Sequence, residues 1–277
     1  MAGLPPSKPP QPPARPPPLA AVAVLRVVLE LRSVRSTLAS LGLLVVLTLG
    51  FTALLTWLTV SQWSKADPSQ QRQLMADPVG TILGSGFQLS QLTICVLGVL
   101  VITSEYATGM IRARLLAVPR RVAMLAAKSV VFAALVFVVG ELVAFPSFFI
   151  GAAILHGKAP VALGDPGVLR AVAGSGLYLA VLGLFALAIG GLVRHTAAAI
   201  TGVIGFVLVL APLAQLLPGS FASTCTPTCP PRPASLIAQA HQGPHDLLTP
   251  WQGFGVFCAW TAVLLGAAAY LLQRRDA

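Results

Sequence analysis

Residues 129–155 read SVVFAALVFVVGELVAFPSFFIGAAIL and carry a single charge, that of Glu141. A helix of this length rises about 40 Å, while the hydrocarbon core of a bilayer is about 30 Å thick. Inside lipid every backbone donor and acceptor must be satisfied internally, so such a segment is a helix. Comparable apolar runs lie at about 38–60, 82–103, 169–193, 197–217 and 252–272. Together they predict an all-α integral membrane protein with six transmembrane helices. The third run is long enough to tilt or to break at Pro146, since proline removes a helical hydrogen bond. The fourth and fifth are separated only by Leu192–Thr196, a tight hairpin turn.

Composition removes other classes. Only 9% of the 277 residues are charged and the mean hydropathy is +0.84, whereas a soluble domain carries about 25% charged residues. The net charge of +10 invites comparison with nucleic-acid binders. However, the Lys and Arg residues sit at the ends of apolar runs and not on one water-facing surface, so no nucleic-acid partner is expected. With the N-terminus inside, thirteen of the 18 fall in inner segments and five in outer ones. By the positive-inside rule this predicts a multi-pass protein with both termini cytoplasmic; the cell (plasma) membrane is the expected location.

Nine of the first eighteen residues are proline, which predicts a disordered or polyproline-like arm over 1–18. Residues 19–37 are apolar but interrupted by Arg26, Glu30, Arg32 and Arg35, too charged to span. They form either a helix lying in the interface or an N-terminal extension of the first span. Residues 19–277 are then one membrane domain, with a cytoplasmic loop at 104–128 and an extracellular loop at 218–251. Trp57, Trp63 and Trp251 all fall near the outer interface, where indole rings settle.

Few side chains suggest chemistry. Glu141 is the one acidic residue deep in a span, where a carboxylate is costly unless neutral, paired or facing water. It either lines a pathway or subunit interface, with Pro146 opening space beside it, or bonds a neighbouring helix. Gly84, Gly86, Gly174, Gly176, Gly190, Gly191, Gly202 and Gly205 suit close helix packing. Cys225 and Cys229, in C-T-P-T-C, form a local disulfide if their loop is outside and are otherwise incidental thiols. His241 and His245 complete no known ligand spacing with them, so no metal site is expected. No G-x-x-x-x-G-K-[ST] phosphate cradle occurs, so the chain itself is not expected to hydrolyse ATP.

The remaining feature is a basic stretch, TSEYATGMIRARLLAVPRRVAMLAAK at 103–128, holding Arg112, Arg114, Arg120, Arg121 and Lys128. Topology accounts for the last three as headgroup anchors but not for Glu105, Tyr106 or Gly109. Glu105 is placed at the start of a surface helix, where its charge suits the N-terminal dipole, and Pro119 ends that helix.

S-E-Y-A-T-G-M-I-R, followed by L-L-A-V-P-R-R and A-A-K-S, resembles the cytoplasmic loop of ABC-two-type exporter permeases of actinobacterial type. The last span and R-R-D-A tail are similar too. The resemblance covers about residues 19–277 and implies the ABC-two-type exporter permease fold. It also implies a partner ABC ATPase subunit carrying ATP and Mg, with no cofactor bound by this chain, and a second permease chain in a homo- or heterodimer within the lipid bilayer. On the family's E-Y-x-x-G-x-x-R pattern, Glu105, Tyr106, Gly109 and Arg112 are the implied ATPase-coupling residues. Arg114 departs from it, since relatives often have threonine there. The function implied is outward movement of a substrate by alternating access. An intramembrane enzyme would need paired aspartates, a Ser with His or an H-E-x-x-H pair; a secondary transporter would show internal repeats and interrupted helices. Neither pattern is present.

Overall fold

The computed structural model describes residues 35–65, 67–107, 121–193, 195–210, 237 and 249–275. Seven α-helices form the described chain: α1 Arg35–Ser61, α2 Pro68–Ala76, α3 Pro78–Ala107, α4 Arg121–Leu155, α5 Val168–Val193, α6 Thr196–Gly205 and α7 Pro250–Arg275. A 3-10 turn, Trp63–Lys65, follows α1, and a π turn, Phe206–Leu210, continues α6. Among the described residues there is no strand.

Five helices contain segments long and apolar enough to cross a bilayer: Gly42–Ser61, Gly86–Thr103, Leu125–Leu155, Val168–Val193 and Pro250–Leu271. The fifth run of the sequence analysis appears as a shorter apolar helix, Thr196–Val209. Its remainder, 211–217, lies outside the described residues, as do 1–34 and most of the loop 218–251. Residues 35–37, assigned above to the leading helix, belong to α1.

Local chemistry explains where the helices begin. Both α2 and α3 open on Asp-Pro, with aspartate just before the helix and proline at its first position, where the missing N–H costs nothing. The Asp77 carboxylate accepts from the Gly80 N–H at 2.9 Å, capping α3. This repeated Asp-Pro start, in the stretch between the first two apolar runs, is the signal that marks the extra helix α2. At α7, Thr249 and Gln252 cap one another, each backbone N–H reaching the other's side chain. Between α4 and α5 the chain turns at Gly167, whose φ of 84° lies in the left-handed region that favours glycine.

The core forms around α5. Seventeen of its 26 residues are buried, so it meets neighbours on nearly every side, and α3, α4, α6 and α7 all pack against it. Gly98 of α3 meets Gly183, Ala186 and Leu187, while Gly190 meets Val99 and Ile102. Numbering rises in the same direction on both helices, so α3 and α5 run parallel. The same holds for α7, where Phe257 stacks on Tyr178 and Ala268 faces Gly191. Helix α4 runs antiparallel to α5, with Gly140 against Gly176 and Phe132 against Gly183. Rings tie the bundle together: Phe87 to Tyr178 at 5.2 Å, Tyr178 to Phe257 at 5.8 Å, Phe257 to Phe185 at 5.7 Å and Phe185 to Phe206 at 5.4 Å. These pairs join α3, α5, α7 and α6 with tilted or offset faces, the arrangement the ring quadrupole favours.

Helix α1 packs on α3 and α4, away from α5. The end of α1, α2, the start of α3 and the end of α4 share a small apolar cap of Leu74, Ile82, Leu155 and Ala159, with Val60, Trp63 and Ile154 against it. Lys158 Nζ lies 5.8 Å from the centre of the Trp63 ring there. That end of the bundle also holds Trp57 and Trp251, both exposed.

Candidate functional site

Two places carry charged side chains at contacts between helices. The first is Glu141, at the crossing of α4 and α5. Gly140, the residue before it, lies so close to α5 that an added Cβ would come 3.0 Å from the Gly176 Cα. On the other side of that contact, a Cβ on Gly176 would collide with the Glu141 carboxyl group. The missing side chains at Gly140 and Gly176 therefore let the helices touch, and the Glu141 carboxyl fills the notch beside them. The side chain is half-buried, and neither oxygen has a hydrogen-bond partner among the described residues. That leaves two acceptors turned into the bundle at a helix crossing, available to a donor from elsewhere.

Pro146 does not break α4, which runs unbroken from Arg121 to Leu155. Proline removes one N–H and crowds the carbonyl four residues earlier, yet long membrane helices tolerate this where neighbours hold the chain. Five residues separate it from Glu141, about 140° around a helix, so the two do not share a face.

The second place is the pair of stems that carry the basic stretch. Helix α3 continues through Glu105 and Tyr106 to Ala107, and α4 begins at Arg121. Glu105 thus lies in the last turn of α3 and not at the start of a new helix. The reason is local, since no glycine or proline occurs between Ile102 and Gly109 to stop α3 earlier. Gly109 and Arg112 lie outside the described residues, as do Cys225 and Cys229. Lys128, expected only to anchor headgroups, donates from Nζ to the Val101 carbonyl oxygen at 2.6 Å. This charge-assisted bond joins α4 to α3 at the end that carries the intervening segment.

Glycines sort by contact. Gly86, Gly174, Gly176, Gly190 and Gly191 do lie against other chain segments, whereas a Cβ added at Gly84, Gly202 or Gly205 would meet nothing within 4 Å among the described residues. The tightest α3–α5 approach, at Gly98, is one that spacing did not suggest. Ile237, which falls between the π turn and α7 in sequence, is fully buried against Gly174 in the second turn of α5. Among the described residues no three His, Cys, Asp or Glu side chains gather as metal ligands would.

Length, hydropathy and packing together define a multi-pass, all-helical membrane protein. No protein-family model, curated protein or solved structure matches the chain.

Proposed function

We propose that this chain is the membrane-spanning permease subunit of an ATP-driven ABC exporter of the ABC-two type. In this reading it has six spans, the last part of the fifth being supplied by residues after Leu210. Both termini lie in the cytoplasm, and ATP with Mg binds on a separate ATPase subunit. Two permease chains pair, and a substrate moves outward by alternating access along their interface. Glu105, Tyr106, Gly109 and Arg112 would meet the ATPase.

The observation that carries the proposal is the likeness of S-E-Y-A-T-G-M-I-R to that family's coupling segment. The stems agree with it physically. Helix α3 has 30 residues and α4 has 35, about 45 and 52 Å, longer than the hydrocarbon core. Lys128 ties the two stems together, so force applied to the segment between them would reach the bundle through both helices. A second reading, a secondary transporter, is favoured by the unpartnered Glu141 carboxyl, a group of the kind that couples transport to protons or cations.

Recovery of the tagged protein in mild detergent, wild type beside Glu105→Arg, tests the first reading. An ATPase that co-purifies with the wild type and is weakened at least fivefold by the variant is the expected result. If no ATPase is recovered in any of several mild detergents, the exporter proposal fails, and Glu141→Gln becomes the variant to assay for transport.

A further inference from the structure

The outward faces of α1, α4 and α7 carry side chains that suit lipid: Val46, Leu54, Phe137, Leu142 and Val263 are all exposed. Helix α3 departs from that pattern at 84–93, GSGFQLSQLT, where glutamine, serine and threonine interrupt the apolar run. Gln88 is exposed. It follows Phe87, whose ring packs against Tyr178 near the middle of α5. From Ile82, where the apolar run begins, it lies about 9 Å along the axis. The Gln88 amide is therefore at hydrocarbon depth.

Gly84, one turn before Gln88, is exposed as well, and a Cβ added there would meet nothing within 4 Å among the described residues. Positions 84 and 88 share a helix face, and Cys95 and Val99 continue it towards the other end of α3. Those two are buried, with Val99 against Gly190 of α5. The face is thus closed along one half of α3 and open along the half nearer Trp63. Gln91, at the border of the open half, is nine-tenths buried. Neither glutamine amide forms a hydrogen bond with another described residue.

We infer that the open half of α3 is where a second copy of this chain docks, the Gln88 amides of the two copies hydrogen-bonding to each other across a two-fold axis. Lipid is a poor cover for this face, because hydrocarbon offers an amide neither donor nor acceptor. A second copy offers both. A primary amide carries N–H donors and a carbonyl acceptor, so at a two-fold axis each Gln88 donates to the other and accepts from it. Two copies inserted the same way share an axis along the bilayer normal, so their α3 helices run parallel and equal positions meet at equal depth. Gly84 then lets the two backbones approach at the adjoining turn, as small residues do in paired membrane helices. The inference deepens the pairing of two chains proposed above: it names the surface and makes the pair a homodimer.

The test uses the full chain in membranes, with its native cysteines replaced and single cysteines introduced by Gly84→Cys or, as controls on other outward faces, Val46→Cys, Val138→Cys and Val263→Cys. Under copper-phenanthroline oxidation, Gly84→Cys should form a disulfide-linked dimer at least tenfold faster than any control; equal or slower formation overturns the inference. Gln88→Leu gives an independent reading, since the side chain is exposed and its loss leaves the packing within one chain intact. Energy transfer between labelled chains in detergent should show the dimer dissociation constant raised at least fivefold, and an unchanged constant overturns the inference. The exporter reading fails separately. A dimer that links through a control position sinks the Gln88 surface and leaves the exporter standing. A monomer sinks it too, whether lipid or residues 211–217 cover the face. A Gln88-dependent dimer that recovers no ATPase keeps the surface and removes the exporter.

Discussion

Helices α5 and α1 solve the same problem in opposite ways. Lipid tails are as apolar as leucine, so burial of apolar surface does not drive helices together inside a membrane. Helix α5 relies on close approach: glycines at 176, 183 and 190 bring backbones into contact, and Tyr178 and Phe185 fill what remains with rings. Helix α1 turns an apolar face outward and a threonine face inward. The first interface is apolar and depends on shape; the second carries buried hydroxyls, of which Thr48 pairs with Ser90. A core of the first kind has few alternative arrangements, whereas hydroxyls can exchange partners as helices move. The comparison therefore places rigidity at α5 and adjustability at the α1 junction.

The hardest blow to that contrast is a side chain at the α3–α5 approach. A Cβ on Gly98 would stand 2.6 Å from the Gly183 carbonyl oxygen and 2.9 Å from the Ala186 Cβ. Backbone atoms cannot rotate away, so Gly98→Leu should cost more than about 3 kcal/mol and leave little folded protein in detergent. Gly50→Leu on α1 is the matched control, because an added Cβ there meets nothing within 4 Å. It should fold as wild type, judged by size-exclusion profile and thermal midpoint. Equal damage from both variants would remove the distinction between the helices.

Tyr178→Ala comes next. The ring is 1% exposed and stacks between Phe87 and Phe257, so its loss leaves a cavity at the centre of the bundle and should cost about 3–5 kcal/mol. Chemical unfolding followed by tryptophan fluorescence would measure it. A loss below about 1 kcal/mol would mean that α5 is loosely packed after all.

These elements differ in how plainly the sequence announces them. Apolar runs near 20 residues made the five crossings legible, and Glu141 stood out because no other acid lies deep in a span. The α1 stripe is a signal that the hydropathy reading passes over: Thr48, Thr52 and Thr56 keep an interval of four in LTLGFTALLTWL, but threonine is nearly neutral. The role of Gly98 was not legible, because a glycine that touches a neighbour and one that faces lipid look alike without the partner helix. Gly84, Gly202 and Gly205 looked as promising, yet a Cβ there would meet nothing within 4 Å among the described residues. The end of α3 was misplaced because the acidic Glu105 looked like a helix start, while the absence of a breaker before Gly109 carried the helix past it.

A smaller effect is expected at the Lys128 brace, which joins α3 and α4 near the end of each stem. Lys128→Met keeps the apolar stem and removes the donor to the Val101 carbonyl. Hydrogen bonds from charged groups contribute about 1.5–3 kcal/mol. Since this one is only half-buried, solvent compensates and the low end applies. The thermal midpoint should fall by a few degrees, and spin labels near residues 101 and 128 should show the stems further apart. An unchanged distance distribution would mean that packing alone holds them.

The smallest predicted effect bears on α1. Thr48 and Ser90 form the one cross-helix hydroxyl pair described between α1 and α3, 3.1 Å apart. Pairs of this kind inside membranes average about 0.6 kcal/mol, because each partner finds substitutes when the other is lost. A double-mutant cycle over Thr48→Val and Ser90→Ala should therefore give a coupling of about 0.6 kcal/mol. If water reaches the pair, it can replace the missing partner, and the coupling stays at or below that value. In a dry junction no substitute exists, the lone hydroxyl bears its full desolvation cost, and the coupling rises above about 1.5 kcal/mol. The size of this one energy separates an α1 interface that can rearrange from one as fixed as α5.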